Sequence, residues 1–141
     1  MKKFGTGIIC GSFDILHPGY IRMFRDAHEH CDFVTVALQG DPTIDRPDKC
    51  KPVQSLEDRI EILESIKYIN KIVTYNTESD LLELLKQEHH DVRILGTDYI
   101  DVEDYTGAEL GKTVYYHKRD HGYSTTMLKT KIAWERQPRR S

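Results

Sequence analysis

Two stretches of the chain carry side chains and spacings that suit phosphate chemistry. The first is Gly11-Ser-Phe-Asp-Ile-Leu-His-Pro-Gly-Tyr20; the second, near the far end, is Tyr123-Ser-Thr-Thr-Met-Leu-Lys129. In the first, Gly11 closes an apolar run, and Ser12, Phe13 and Asp14 form the turn that follows it. Pro18 suits the first position of a helix, and Gly19 lets a ligand approach the backbone. The unpaired N–H groups at a helix start, reinforced by the helix dipole, bind anions. His17 adds a hydrogen bond, and a neighbouring polyphosphate would favour its protonated form over an unperturbed pKa of about 6.5. In the second stretch Ser124, Thr125 and Thr126 offer three hydroxyls where a helix N-cap needs one. Lys129, one turn further, adds a positive charge. Read alone, each stretch is also what an ordinary capped turn would show, because short turn motifs recur by chance.

The elements that must position these residues alternate short β-rich runs with helical patterns, and no segment repeats. Gly7 to Cys10 reads as a buried strand. From Pro18, Ile21, Phe24 and Ala27 recur at helical spacing. Phe33 to Leu38 is a second strand, followed by a loop over 39–54 that contains Pro42, Pro47 and Pro52. Ser55-Leu-Glu-Asp58 resembles a capping box ahead of Ile60, Leu63 and Ile66. Lys71 to Tyr75 is a third strand, and Thr77 to Asp80 repeats the capping signal before Leu81, Leu84 and Leu85. Val92 to Leu95 is a fourth strand ended by Gly96, with a polar loop to about Lys112. Thr113 to His117 is a fifth strand. Ser124 or Thr125 then caps a last helix with Met127, Leu128, Ile132 and Trp134. Strand–helix–strand spacing of this kind predicts an α/β, Rossmann-like, five-stranded parallel sheet with helices on both faces. It forms a single domain over 1–135, followed by a basic tail over 136–141. Ligands of such sheets bind beyond the carboxyl ends of the strands, where both stretches fall.

Bulk properties narrow the partners. The 141 residues include 20 Lys and Arg against 23 Asp and Glu, a net charge of −3, which argues against nucleic acid as the main partner. No apolar run reaches membrane-spanning length, and no signal-peptide core precedes Gly11, so the expectation is a cytoplasmic protein without a membrane partner. Cys10, Cys31 and Cys50 lack C-x-x-C spacing, which fits a reducing compartment better than disulfides or zinc.

Taken together, G-S-F-D-x-x-H-x-G-Y and Y-S-T-T-x-x-K resemble the paired boxes of the cytidylyltransferase-like nucleotidyltransferase superfamily. Those boxes are H-x-G-H after the first strand and S-T-T/S-x-x-[RK] at the last helix. Over roughly residues 6–132 the chain is most similar to the glycerol-3-phosphate cytidylyltransferase-like branch, with the heptose-phosphate adenylyltransferases nearly as similar. The resemblance implies transfer of CMP from CTP to a phosphorylated small alcohol, with release of pyrophosphate. Its alternatives are an adenylyltransferase using ATP and a sugar phosphate, or a degenerate nucleotide-binding regulatory module. It also implies a Mg²⁺ that travels with the triphosphate, and a homodimer.

Site roles follow from the same resemblance. His17, Lys51, Arg119 and Lys129 are the candidates for catalysis, with Lys49 a second choice beside Lys51. Gly11, Ser12, Phe13, Asp14, Gly19, Tyr20, Gly96, Asp98, Ser124, Thr125 and Thr126 are the candidates for holding the nucleotide. Lys51, Arg59, Lys67 and Asp98 would face the acceptor. In Lys67-Tyr-Ile-Asn-Lys-Ile72 the family has R-Y-V-D-E-V, so Asn70 replaces a carboxylate. Tyr20 stands where the family has the second histidine of its box. A phenol donates a hydrogen bond but carries no charge near neutral pH. Acidic and aromatic residues over 98–109, including Tyr99 and Tyr105, leave open a pocket for a cationic headgroup.

Overall fold

The computed structural model describes residues 2–100, 105–119 and 121–136. Five parallel strands form one sheet: β1 (Phe4–Gly11), β2 (Cys31–Gln39), β3 (Lys71–Tyr75), β4 (Val92–Gly96) and β5 (Thr113–His117), ordered β3-β2-β1-β4-β5. The connecting helices are α1 (Pro18–His30), α2 (Leu56–Glu64) and α3 (Glu78–Gln87), and α4 (Thr125–Glu135) follows the last strand. The predicted sheet and its parallel pairing are therefore present. Both early strands run longer than the apolar pattern indicates. β1 starts at Phe4, because Phe4 pairs with Cys31 and Thr6 with Phe33, before the apolar core of either strand begins. The tail beyond Arg136 lies outside the described residues.

Two half-cores sit on the two faces of the sheet. Ile9, Val34, Val36 and Ile94 pack with Phe24, Ala27 and Leu63, so the predicted stripes of α1 and α2 cover one face. Ile8, Ala37 and Tyr75 pack with Leu81 and Leu85 of α3 on the other. The strand residues alternate between the clusters, as the two-residue period of a strand requires. Caps fix where the helices start. Thr77 and Asp80 form a reciprocal capping box on α3, while Ser55 accepts from the Asp58 N–H at the start of α2. Ser124, not Thr125, is the N-cap of α4, accepting from the Met127 N–H at 3.0 Å. α4 buries none of its residues, and Trp134 is 72% exposed. Polar contacts of Thr125 and Lys129 hold it to the body instead.

The chain order reverses between β1 and β4, which opens a crevice at their carboxyl ends. Arg59 ties the segments around it. Only 2% exposed, it donates from Nη1 to the carbonyls of Ser12 (2.8 Å) and Gln39 (2.6 Å) and from Nη2 to that of Gly40 (2.8 Å). Its Nε donates to the carbonyls of Gln54 and Ser55. Arg59, expected to face the acceptor, thus serves as an internal strut joining the ends of β1 and β2 to the start of α2. Its removal would leave several loop carbonyls without a donor, each lost partner costing about 1–3 kcal/mol. Arg59→Met is therefore expected to lower unfolding free energy by about 3 kcal/mol, read from urea unfolding. A change under about 0.5 kcal/mol, normal for a surface arginine, would contradict the strut.

Candidate functional site

A cleft of about 400 Å³ lies across the carboxyl ends of β1, β4 and β5. Ser12, Asp14, His17, Gly19, Tyr20, Gly96, Arg119, Ser124, Thr125, Thr126 and Lys129 all line it. Residues from both ends of the chain therefore converge, as the two motifs indicate. Gly11 and Phe13 line an adjoining cavity. Lys51 is exposed; its neighbours Cys50 and Pro52 line the cleft, but Lys51 does not. Lys67 does not meet its expectation. It follows α2 and precedes β3, so it lies at the amino edge of the parallel sheet, with its ammonium 5.3 Å from the Tyr68 ring centroid. Nearby, Asn70 exchanges hydrogen bonds with the backbone of Val34, a structural use of the position where the family has a carboxylate. The side chain of Asp98 lies outside the described residues; its backbone forms a single 3-10 turn directly after β4.

The turn from β1 into α1 is built around Asp14. Its carboxylate accepts the Val53 N–H at 2.8 Å and the Gln54 N–H at 3.0 Å, and meets Lys129 Nζ at 3.0 Å. Burial alone would raise this carboxyl, but the two backbone donors and the lysine outweigh it and hold it below the usual carboxylate range. The Asp14 carbonyl accepts the Thr125 hydroxyl at 2.8 Å. On either side Phe13 and Ile15 adopt positive φ, 46° and 50°, conformations costly for a buried aromatic and a β-branched residue. The Gln54 side chain accepts the Ile15 N–H at 3.0 Å and helps fix the turn.

His17 is the N-cap of α1. Its Nδ1 accepts the Gly19 N–H at 3.1 Å, so Nδ1 carries a lone pair and the proton of the neutral ring sits on Nε2. Burial, and then the positive charges of His121 and Arg119, hold its pKa below the ordinary histidine value. With no anion bound, the ring is held toward its neutral form, and a polyphosphate at the helix start would oppose that shift. The ring stacks on Tyr20 at 4.3 Å between centroids and lies nearly parallel to Tyr123 at 5.9 Å. Tyr20 also meets Phe13 edge-on.

A second imidazole reaches the helix start from another element. His121, in the segment between β5 and α4, lies so close over Gly19 that a Cβ there would collide with its ring, and it is 6.4 Å from His17 between centroids. Sequence reasoning missed it, although it sits three residues before Ser124 in a segment placed beside the ligand. His117 was also missed. It is buried at the cleft wall, with Nδ1 2.8 Å from Asp26 and Nε2 without a partner among the described residues. Arg119 stands at the rim, its N–H on the Thr97 hydroxyl and its Nη2 on the Tyr123 carbonyl. No group of His, Cys, Asp and Glu among the described residues could hold a metal ion, and Asp14 already accepts three donors.

The depressed His17 pKa has a sign. Between its folded value and about 6.5 the unfolded chain binds more protons, so stability rises with pH there and is lost as pH falls. His17→Asn keeps a side-chain cap and removes the titration. Unfolding free energy is expected to fall less in this variant than in wild type between about pH 7 and about pH 5; equal losses would contradict the depressed pKa.

Comparison with known proteins matches these features to a family. A family model described as cytidylyltransferase-like covers residues 8–131. The chain is 32% identical over 128 residues to the bifunctional protein HldE of Gluconacetobacter diazotrophicus, covering 86% of this chain and 26% of that protein. HldE of Caulobacter vibrioides is also 32% identical, so the chain spans about a quarter of these relatives. An FAD synthase of Pyrococcus horikoshii is 28% identical over 130 residues, with 86% of this chain and 88% of that protein covered. A lipopolysaccharide core biosynthesis protein from Thermoplasma volcanium shares the fold, with TM-score 0.65, 21% identity and coverage of 85% and 99%. So does nicotinic acid mononucleotide adenylyltransferase of Plasmodium falciparum, with TM-score 0.58, 18% identity and coverage of 89% and 70%.

Proposed function

Because this chain belongs to the cytidylyltransferase-like family, we propose that it transfers AMP from ATP to a phosphorylated sugar-like acceptor, releasing pyrophosphate. The observation that carries the reading is the meeting of His17, the α1 start, Arg119, Lys129 and the Ser124–Thr126 hydroxyls in one cleft. The motifs alone put CTP and a glycerol phosphate first. Similarity to an FAD synthase, whose product contains an adenylate, moves ATP ahead. The sugar-phosphate acceptor rests on resemblance to the heptose-phosphate branch. CTP with a glycerol phosphate is the second reading, carried by the same motif pair.

In this reaction an oxygen of the acceptor phosphate attacks the α-phosphorus in line. The bond from that phosphorus to the bridging oxygen breaks, and pyrophosphate leaves with the electron pair. No enzyme nucleophile is required; catalysis comes from positioning and from donors aimed at developing charge. His17 Nε2 donates to the α- and β-phosphates, with the positive end of the α1 dipole behind it. His121 supplies a second imidazole from above, in the role that Tyr20 cannot fill with charge. Arg119, the α4 hydroxyls and Lys129 hold the β- and γ-phosphates, with one Lys129 donor already on Asp14. A Mg²⁺ travelling with the triphosphate would add charge neutralisation on the phosphate oxygens. Homodimerisation, read by sedimentation velocity, belongs to the same proposal.

A screen of four nucleoside triphosphates against sugar phosphates and phospho-alcohols, read as pyrophosphate release, tests the reading. ATP with a sugar phosphate is expected to give the highest rate. CTP with glycerol phosphate as the best pair would favour the second reading. Nucleotide binding without release across the panel would favour a regulatory module. His17→Ala is expected to lower kcat about 100-fold or more while costing only about 1 kcal/mol of stability as a lost cap. With His121 in place, Tyr20→His should change kcat by less than about threefold, whereas His121→Ala should lower it about tenfold or more. A large gain in Tyr20→His would show instead that Tyr20 is damage.

A further inference from the structure

The second cavity, about 550 Å³, joins the cleft through Ser12, Tyr20, Met23, Gly96 and Tyr99. It extends over the sheet face that α3 covers, and its floor holds a residue foreign to that place. Arg93 lies within β4, between the core residues Val92 and Ile94, and is only 7% exposed. A guanidinium stays charged at physiological pH, and a buried charge is costly unless neutralised. Arg93 has no carboxylate within ion-pair distance among the described residues. Its Nη1 donates to the Thr106 carbonyl, its guanidinium carbon lies 5.1 Å from the Tyr105 ring centroid, and its Nε has no partner among the described residues. Arg46 and Lys49 also line the cavity, against a single acid among the described residues, Glu78. Glu78 already accepts the Thr106 hydroxyl and lies 4.0 Å from Arg46. Cys10, on the same wall, makes no use of the charge, because burial pushes its thiol up to about 11. Tyr99 and Tyr105 stand edge-to-face here, but Arg93 lies over Tyr105, so a cationic headgroup would meet a cation already in place.

From this arrangement we propose that the cavity receives the far end of the acceptor, and that this end carries a second oxyanion, a carboxylate or a phosphate, which pairs with Arg93. The proposal rests on the nucleotidyl-transfer reading. The acceptor's attacking phosphate lies in the cleft, its body passes Tyr20 and Tyr99, and its distal oxyanion neutralises the buried guanidinium.

The test compares acceptors that differ only in the distal group: glycerol phosphate against phosphoglycerate, and a hexose monophosphate against a hexose bisphosphate. With wild type and ATP, the doubly anionic member of at least one pair is expected to have a kcat/KM about 30-fold higher, the scale of a buried charge pair. The pair that shows the preference identifies carboxylate or phosphate. Arg93→Met should abolish the preference while leaving the singly anionic acceptors and the KM for ATP within about threefold. Equal use of both members by wild type, or equal loss on both in Arg93→Met, overturns the proposal and leaves Arg93 as a loop tie. Calorimetry with phosphoglycerate and the hexose bisphosphate separates this inference from the transfer reading. Arg93-dependent binding without pyrophosphate from any triphosphate would sink transfer and keep the oxyanion site. Pyrophosphate release without Arg93-dependent binding would do the reverse. Should Arg93→Met fail to fold, Arg93→Lys keeps the charge and loses the fork. It should raise KM several-fold for the doubly anionic acceptors alone.

Discussion

The carboxylate of Asp14 accepts three donors from two distant parts of the chain, and its own carbonyl accepts a fourth. The loop before α2 arrives through the Val53 and Gln54 N–H groups, and α4 arrives through Lys129 and Thr125. These contacts hold Phe13 and Ile15 in left-handed conformations that neither side chain favours. That turn in turn places His17 at the first residue before α1. Arg59 completes the frame from behind by bonding the carbonyls that follow β1 and β2. The cleft is thus bounded by polar contacts, while the two half-cores beneath it supply the rigidity.

Charge is distributed unevenly over this frame. Closest to the helix start stand two imidazoles, His17 and His121, and the phenol of Tyr20. The cations stand further out, on Arg119 at the rim and on Lys129, which Asp14 balances. A donor that is neutral at rest adds no repulsion to the helix start, whose partial positive charge already attracts an anion. The adjoining cavity holds one buried cation, Arg93, against the Tyr105 ring, with Arg46 and Lys49 exposed along its lining.

Much of this was legible in the residues. Apolar runs ended by Gly11 and Gly96, capping residues at Ser55, Thr77 and Ser124, and the strand–helix alternation gave the parallel sheet, because each is a local signal. The cleft was legible for the same reason: His17 and Ser124–Thr126 lie beside helix starts that any reader can locate. What was not legible depends on contacts across the chain. Arg59 and Lys67 look alike as charged residues near a helix, yet one is enclosed by five carbonyls and the other sits at the wrong edge of the sheet. His121 acts at α1 only because the segment after β5 folds back over Gly19. Arg93 did leave a trace, since a charge inside a run such as Val-Arg-Ile-Leu conflicts with a fully buried parallel strand, but period and propensity give no account of what it meets.

The order of strands also has a consequence in time. The central strand β1 is synthesised first, yet its neighbour β4 lies some eighty residues further along the chain (Gly7 pairs with Val92), and β5 and α4 come later still. Contacts this distant in sequence form slowly, because a long loop must close before they return any stability. While the chain emerges, one edge of β1 is therefore unpaired, and the cleft has only one wall. The half-cores under α1 and α3 can gather early, but no phosphate can be held from both sides until the last helix has docked on Asp14. Folding and competence for the ligand are completed by the same late event.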